Sequence, residues 1–484
     1  REFTLTRQVI EDEWTEYREQ LRSLGASRTQ AARTLLWDGR FSLLTAAMAG
    51  FGRAIAEVGA SNERIALIAR KHAGTYAAII GILKAGCSYV PLPTDGPAAR
   101  WDRMVATCGA RFFYGDGAVL PGPRRIPAPE LPVAATPSVN VGGEEAYVLF
   151  TSGSTGGPKA VSVSRANVAA YLGHLLSAYP FNEEDRFTQF FALTFDLSVH
   201  DLFVCWGAGA CLCVPHDESA LHAAKYARDE RITVWFSVPS LPALMERMRG
   251  LQARSLPAIR YAFFCGEALP YSIARAFAKA APQAVLTDLY GPTEATIAIT
   301  AHRIDRAHLE RPGLVPIGLP FPGHKAIIDN EELCVTGPQI SNGYIDLPEA
   351  SAAAFMDITG TGERWYRTGD RVRMDTDGTL HYLGRIDHQV KVAGHRVEPG
   401  EVDELLTPML SGGAAITVPV HESGGTRLVT FINVPHDIAE LLAHCRAHLP
   451  SYMVPERILV REEFPMTGHG KTDRQQLIAI AQHG

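Results

Sequence analysis

Nowhere in the sequence do about twenty apolar residues follow one another, the length a bilayer-spanning helix needs. The longest such stretch, Leu202 to Val214, is broken by small residues and stops at Pro215, so no transmembrane helix is expected. An excess of base is missing too. Lys and Arg number 46 against 52 Asp and Glu, a net charge of −6, without the basic stripe that holds nucleic acid. Neither nucleic acid nor membrane is an expected partner. None of the 8 Cys has Cys-x-x-Cys spacing, which argues against zinc ribbons and dithiol redox motifs. Scattered in apolar segments such as FVCWGAGACLCV, they read as buried thiols in a reducing environment. The opening REFTLTRQVIEDEWTEYREQL has no apolar core of a secretory leader, and cytoplasm is the expected compartment.

What is present is ordinary globular chain: 46% hydrophobic and 20% charged residues over 484 positions, roughly three domains' worth of length. Residues 41 to 90 alternate FSLLTAAMAGFGRAIAEVG, RIALIA, GTYAAIIGILKAG and SYVPL, a helix–strand–helix–strand rhythm that predicts an α/β fold with parallel or mixed sheets covered by helices. Apolar runs recur at FTQFFALTF, ACLCVP, ITVWFSVPS, RYAFFCGEAL and AVLTDLYGPTEA. Each ends in the small or polar residues where parallel strands release functional loops. The Pro- and Gly-rich stretch 117 to 145 reads as a surface connection. After about residue 365 the pattern shortens to β-like pieces, with Asp377-Gly378 as a hairpin turn. From His388 onward EVDELLTPML, AAITVPV, RLVTFINV and DIAELLAHCRAHL suffice for a small α+β domain. The expected division is 1–386 for the main body and 387–484 for the small domain.

The most informative segment is the strand YVLF running into Thr151, Ser152, Gly153, Ser154, Thr155, Gly156, Gly157, Pro158 and Lys159. Glycine-freed amides, hydroxyls and a lysine make a cradle for phosphate oxygens. The GxxxxGK[ST] spacing of a P-loop is absent, since Ala160 follows the lysine. A plain Gly/Ser turn would account for one or two such residues, not the whole run.

This loop resembles the phosphate loop of the adenylate-forming superfamily, which includes acyl-CoA synthetases, luciferases and the adenylation domains of nonribosomal peptide synthesis. LKAGCSYVPL, FDLS, GEAL, YGPTEAT, YRTGD, GRIDHQVKVAGHRVEPGEV and GKTDR follow in the family's order across almost the whole chain. The resemblance implies a large N-terminal adenylation core and a mobile C-terminal lid. It also implies a two-step reaction: a carboxylate attacks the α-phosphorus of ATP, releasing pyrophosphate, and a thiol then displaces AMP. Positioning and charge neutralisation dominate such phosphoryl chemistry.

By this match Tyr290 lies on the adenine face, Asp288 accepts from the adenine amino group, and Gly266, Glu267, Ala268 and Gly291 belong to the ATP/AMP site. Thr293 touches the α-phosphate, and Glu294 is the expected ligand of Mg2+, a hard carboxylate for a hard ion. Asp370 and Arg385 hold the ribose. Lys471 matches the catalytic lysine that enters with the lid, its ammonium bridging substrate carboxylate and α-phosphate. Lys391 and Gly394 resemble the hairpin that swings inward for the thiol step, and Asp387 matches the hinge.

Asp196 in FDLS separates the substrate classes, because in amino-acid-activating members an aspartate here pairs with the α-ammonium. A buried carboxylate without a cation is costly, so a pocket built around it wants an amine. Capping of a helix is the bland alternative for the same aspartate. FDLSVHDLF, VWFSVPS, FFCGEALP and YGPTEATIAIT look like the stretches of D-alanine:carrier-protein ligases. That alignment puts Leu197, His200, Phe236, Phe263, Cys265, Leu289, Ile297 and Ala298 around the substrate. Two phenylalanines and a leucine fill space that a large side chain would need, which implies a small amino acid. His200 either hydrogen-bonds a polar substrate group or packs beside Asp201. The expected partners are this amino acid and a phosphopantetheinyl carrier protein, with ATP and Mg2+. The competing readings are an acyl-CoA synthetase for a simple carboxylic acid, which Asp196 disfavours, and an inactive nucleotide-binding module, which Glu294, Asp370 and Lys471 disfavour.

Overall fold

Aromatic and β-branched runs alternate with helix-forming segments, and in the computed structural model they assemble into three large sheets, a small hairpin and a small sheet. The structure describes residues 42–94, 98–115, 120, 122–127, 143–152, 158–215, 222–422, 425–466 and 472–483. The first sheet comprises β1 (Arg64–Ile68), β2 (Ser88–Leu92), β3 (Phe112–Tyr114), β4 (Arg124–Arg125), β5 (Glu145–Thr151) and β6 (Lys159–Ser164). Their order is β4-β3-β1-β2-β5-β6, all parallel except β6, which turns back on β5. The second comprises β7 (Arg186–Thr188), β8 (Cys211–Cys213), β9 (Val234–Ser237), β10 (Tyr261–Phe264), β11 (Val285–Tyr290), β12 (Thr300–Arg303) and β13 (Leu319–Pro320). It runs β13-β12-β11-β10-β9-β7-β8, parallel from β8 to β11 with β12 antiparallel to its neighbours.

Strand alternation explains how the second sheet buries both faces. Phe236 and Phe263 join a core shared with the first sheet, which contributes Ile65, Leu67 and Tyr147. Their neighbours Trp235, Ala262 and Phe264 point into a separate core with Phe277 and Leu286. Thus β9 and β10 read as unbroken apolar runs. The strand expected through FTQFFALTF exists only as β7. Beyond it Gln189 donates to the Phe191 carbonyl, and Phe190 and Phe191 pack on opposite faces of β9, against Trp235 and Phe236 respectively. Aromatic packing outweighs continuation of the ladder there.

The third sheet is antiparallel: β14 (Lys325–Asp329), β15 (Glu332–Thr336), β16 (Phe355–Met356), β17 (Trp365–Met374) and β18 (Leu380–Arg385). Between β14 and β15, Asn330 and Glu331 both have positive φ, 50° and 69°, the backbone of a two-residue hairpin turn. The register of β17 and β18 sets Asp370 opposite Arg385.

The remaining chain forms the hairpin β19 (Val390–Val392) and β20 (His395–Val397), then a sheet of β21 (Ala415–Glu422), β22 (Gly425–Ile432) and β23 (Arg457–Val460). Helices Pro399–Leu406, Ile438–His448 and Arg474–His483 cover it. Asp437 caps the middle helix by accepting from the Ala439 and Glu440 amides. This region has its own core around Val397, Val402, Leu406, Leu428 and Leu441. Leu406 is fully buried there, so Leu406→Ala should remove about 2–5 kcal/mol of stability from this unit. Denaturant unfolding of the full chain measures the change, and a loss below about 1 kcal/mol would contradict the assigned packing.

Candidate active site

The strands β9, β10 and β11 are paired side by side, and several candidate site residues lie on the segments that follow them. Asp196 stands at the start of the helix Leu197–Gly207 but makes no side-chain cap bond, so helix capping does not explain it. It is 3% exposed. Burial pushes its carboxyl up to about 7, against a hydrogen bond from Thr293; Glu294 adds to the rise, and nearby Lys391 opposes it. The expected substrate residues Leu197, His200, Phe236, Phe263, Cys265, Leu289, Ile297 and Ala298 are all buried, and all but His200 belong to one hydrophobic core.

His200 is packed among aromatic rings. Its ring lies 4.1 Å from the Phe236 ring and 5.5 Å from that of Phe263, while Nδ1 is 2.6 Å from the Tyr171 hydroxyl. Burial drives its pKa down to about 3, so the imidazole is neutral. Its Nε2 has no hydrogen-bond partner among the described residues.

The loop closing the far side is strained. Thr296 and Ile297 have φ of 57° and 74°, unfavourable for β-branched residues. Gln339 holds them: its Nε2 donates to the carbonyls of Ala295, Thr296 and Ala298, and its own carbonyl accepts from Thr296. Gly291 must lack a side chain, because a Cβ there would stand 2.5 Å from the Ala298 backbone. Sequence reading missed Gln339; a buried amide serving a distant loop leaves no local pattern.

The groups matched to the nucleotide also converge. Tyr290 donates to Asp370 at 2.5 Å, and Arg385 donates to the other oxygen of Asp370 at 2.9 Å. Arg385 further pairs with Asp387, fixing the expected hinge residue against the ribose-binding candidates. Asp288 is buried with Oδ1 unpartnered among the described residues, and burial raises its pKa well above the usual range. Glu267 accepts from the Ser240 amide and, across the site, from the Gly394 amide. Gly266 has φ of 91° and Ala268 is exposed. At the mouth, Thr151 ends β5 opposite Lys159, and the Lys159 ammonium lies 5.2 Å from the Tyr344 ring. Ser152 donates to the Arg396 carbonyl. Gly153, Ser154, Thr155, Gly156 and Lys471 lie outside the described residues.

Glu294 is buried with both carboxylate oxygens facing Arg396, at 3.0 and 3.1 Å, and with the Tyr344 hydroxyl at 2.7 Å. Burial opposes its ionisation, but Arg396 and Tyr344 outweigh that and hold it below the ordinary range. Arg396 comes from the hairpin β19–β20, which is thus seated in the site. The same hairpin carries the Lys391 ammonium to 5.7 Å from the Tyr290 ring. Its turn is Ala393-Gly394, with φ of 48° and 81°. A Cβ on Gly394 would come within 2.4 Å of Val238.

Two family models match the chain: AMP-binding enzyme over residues 27–345 and AMP-binding enzyme C-terminal domain over 411–471. The chain belongs to the AMP-binding enzyme family. It is 33% identical to syringomycin synthase SyrB1 of Pseudomonas syringae pv. syringae, over 86% of this chain and 73% of that one. It is 30% identical to a D-alanine–D-alanyl carrier protein ligase of Lacticaseibacillus rhamnosus, over 84% and 86% of the two chains. The solved Vibrio cholerae adenylation domain AlmE, in complex with glycyl-adenosine-5'-phosphate, superposes with a TM-score of 0.77 at 28% identity, covering 92% and 93% of the two chains. The residues that this AMP-binding enzyme gathers at its strand ends are those of the adenylate-forming motifs.

Because the Gly394 turn touches the core so closely, Gly394→Ala should keep the hairpin from seating. Pyrophosphate exchange should survive within about threefold, while transfer from adenylate to a thiol falls about tenfold or more. Equal losses in both half-reactions would contradict this.

Proposed function

We propose that this chain activates a small amino acid with ATP, forming an aminoacyl-adenylate and pyrophosphate, and transfers the aminoacyl group to the phosphopantetheine thiol of a carrier protein. The observation that carries the proposal is Asp196: a buried carboxylate, not used as a helix cap, lining a cavity together with Phe195 and Thr293. Its ionised form is a partner for an α-ammonium and for little else of that size. The relatives named carrier protein ligases agree in substrate class.

In this reading the nucleotide lies along Asp288, Tyr290, Asp370 and Arg385, and residues 387–484 move as a lid about Asp387. Lys471 enters to support adenylate formation, and the hairpin with Gly394 replaces it for the thiol step. Glu294 suits Mg2+ as a buried carboxylate, the ion taking further oxygens from the nucleotide. Bound there, Mg2+ would neutralise phosphate charge. With the hairpin seated, Arg396 supplies positive charge to the same carboxylate.

Pyrophosphate exchange with a panel of amino acids, including D- and β-amino acids, and of simple carboxylic acids tests the reading. Exchange is expected with glycine, alanine or a compact amino acid, and exchange driven only by acids lacking an amine would reject it. Lys471→Ala should abolish exchange while ATP binding persists; unchanged turnover would refute that lysine's role. The raised pKa of Asp196, about 7, gives a pH signature. Protonation removes the partner for the ammonium, so KM for the amino acid should rise about tenfold as pH falls from 7.5 to 6. A flat KM over that range would contradict the pairing.

A further inference from the structure

A cavity of about 740 Å3 runs outward from Asp196 and Thr293, with Arg70 and Lys71 on the core side and His395 and Tyr452 on the lid side. In the reading above, with the ammonium at Asp196, this cavity is where a thiol approaches the acyl carbon. His395 is stacked in this wall between two other rings. One face of its ring is parallel to Tyr452, with centroids 3.9 Å apart and planes within 1°; the other lies 5.1 Å from Phe195. Its neighbours in sequence are pinned as well, Gly394 through its amide on Glu267 and Arg396 on Glu294. With both faces covered, the ring can present only its nitrogen-bearing edge to polar partners.

The thiol step has a proton to lose. The C–S bond forms at the acyl carbon, the C–O bond to the AMP phosphate breaks with its electron pair leaving on AMP, and the S–H proton must go elsewhere. A free thiol is mostly protonated at neutral pH. Among the described residues lining the cavity, Asp196 is committed to the ammonium in the reading above, Arg70, Lys71, Arg100 and Arg396 are cations, and His395 is the single imidazole.

We infer that His395 is the general base of the thiol step, taking the S–H proton of the pantetheine arm to become imidazolium as sulfur attacks the acyl carbon. The inference rests on the adenylate-then-thiol reading of the site. It assigns chemistry to the hairpin itself, so that seating the hairpin delivers the base. Among the described residues, Asp196, Arg70, Lys71 and Arg396 line the cavity with His395, and Phe195 and Tyr452 stack with its ring.

The test separates the half-reactions, using free pantetheine as the thiol and whichever acid gives the fastest exchange. His395→Gln should slow transfer from preformed adenylate about tenfold or more near pH 7, well beyond any change in pyrophosphate exchange. The deficit should shrink toward pH 9.5, where the thiol ionises unaided. Added imidazole should restore part of the rate to His395→Ala. Transfer by His395→Gln within about threefold of the unsubstituted protein near pH 7 would overturn the inference. So would a loss equal at both pH values and untouched by imidazole, which would leave His395 as a packing side chain. If no amino acid supports exchange but a simple acid does, the amino-acid reading fails, and the same comparison on that acid still decides the role of His395.

Discussion

A carboxylate shut away from water must be given either a proton or a cation, and among the described residues no cation stands in hydrogen-bond range of Asp196. The Thr293 side chain, the Leu197 backbone and, from the hairpin, Lys391 favour its charge. The charge is therefore left for something that arrives. The rest of the pocket limits what that can be. Phe236 and Phe263 come from adjacent positions of paired parallel strands, and His200 fills the space above them. In the proposed reading, that bulk and the unmet charge select an amine-bearing molecule with a compact side chain.

The second organising contact is the pair Arg396–Glu294, which fastens the hairpin β19–β20 over the site. A buried ion pair of this kind contributes less to stability than to specifying one arrangement of two units. Here the specified arrangement closes the Gly394 turn on Val238 and sets His395 between Phe195 and Tyr452. The same carboxylate is the proposed Mg2+ ligand, so metal and guanidinium would serve Glu294 in alternation, one for each position of the lid. Arg100 and Glu401, both buried and 3.2 Å apart, add a further link between core and lid in the seated arrangement.

The parts of this account legible in the sequence are those carried by short-range patterns. Residues 42 to 92 alternate helix and strand as expected, and candidate site residues follow β10 and β11, because parallel strands buried on both faces can leave polar residues only at their ends. Asp370 and Arg385 could be named from motifs, and the register of β17 and β18 explains why they meet. What was not legible depends on distance in the chain. Gln339 reaches back to carbonyls more than forty residues away, and Tyr344 to Glu294. The stack on His395 joins three segments with no common pattern. The segment after Thr188 failed as a strand because its aromatics are divided between two cores, a choice that only the packed sheet determines.

The most direct test of the account compares the affinity of a non-hydrolysable aminoacyl-sulfamoyl adenosine with that of its desamino counterpart, in the unsubstituted protein and in Asp196→Asn, by calorimetry. The account predicts that the amine adds about 2–4 kcal/mol in the unsubstituted protein and almost nothing in Asp196→Asn. Equal preference for the amine in both proteins would show that Asp196 does not receive the ammonium, and the assigned substrate class would fall with it.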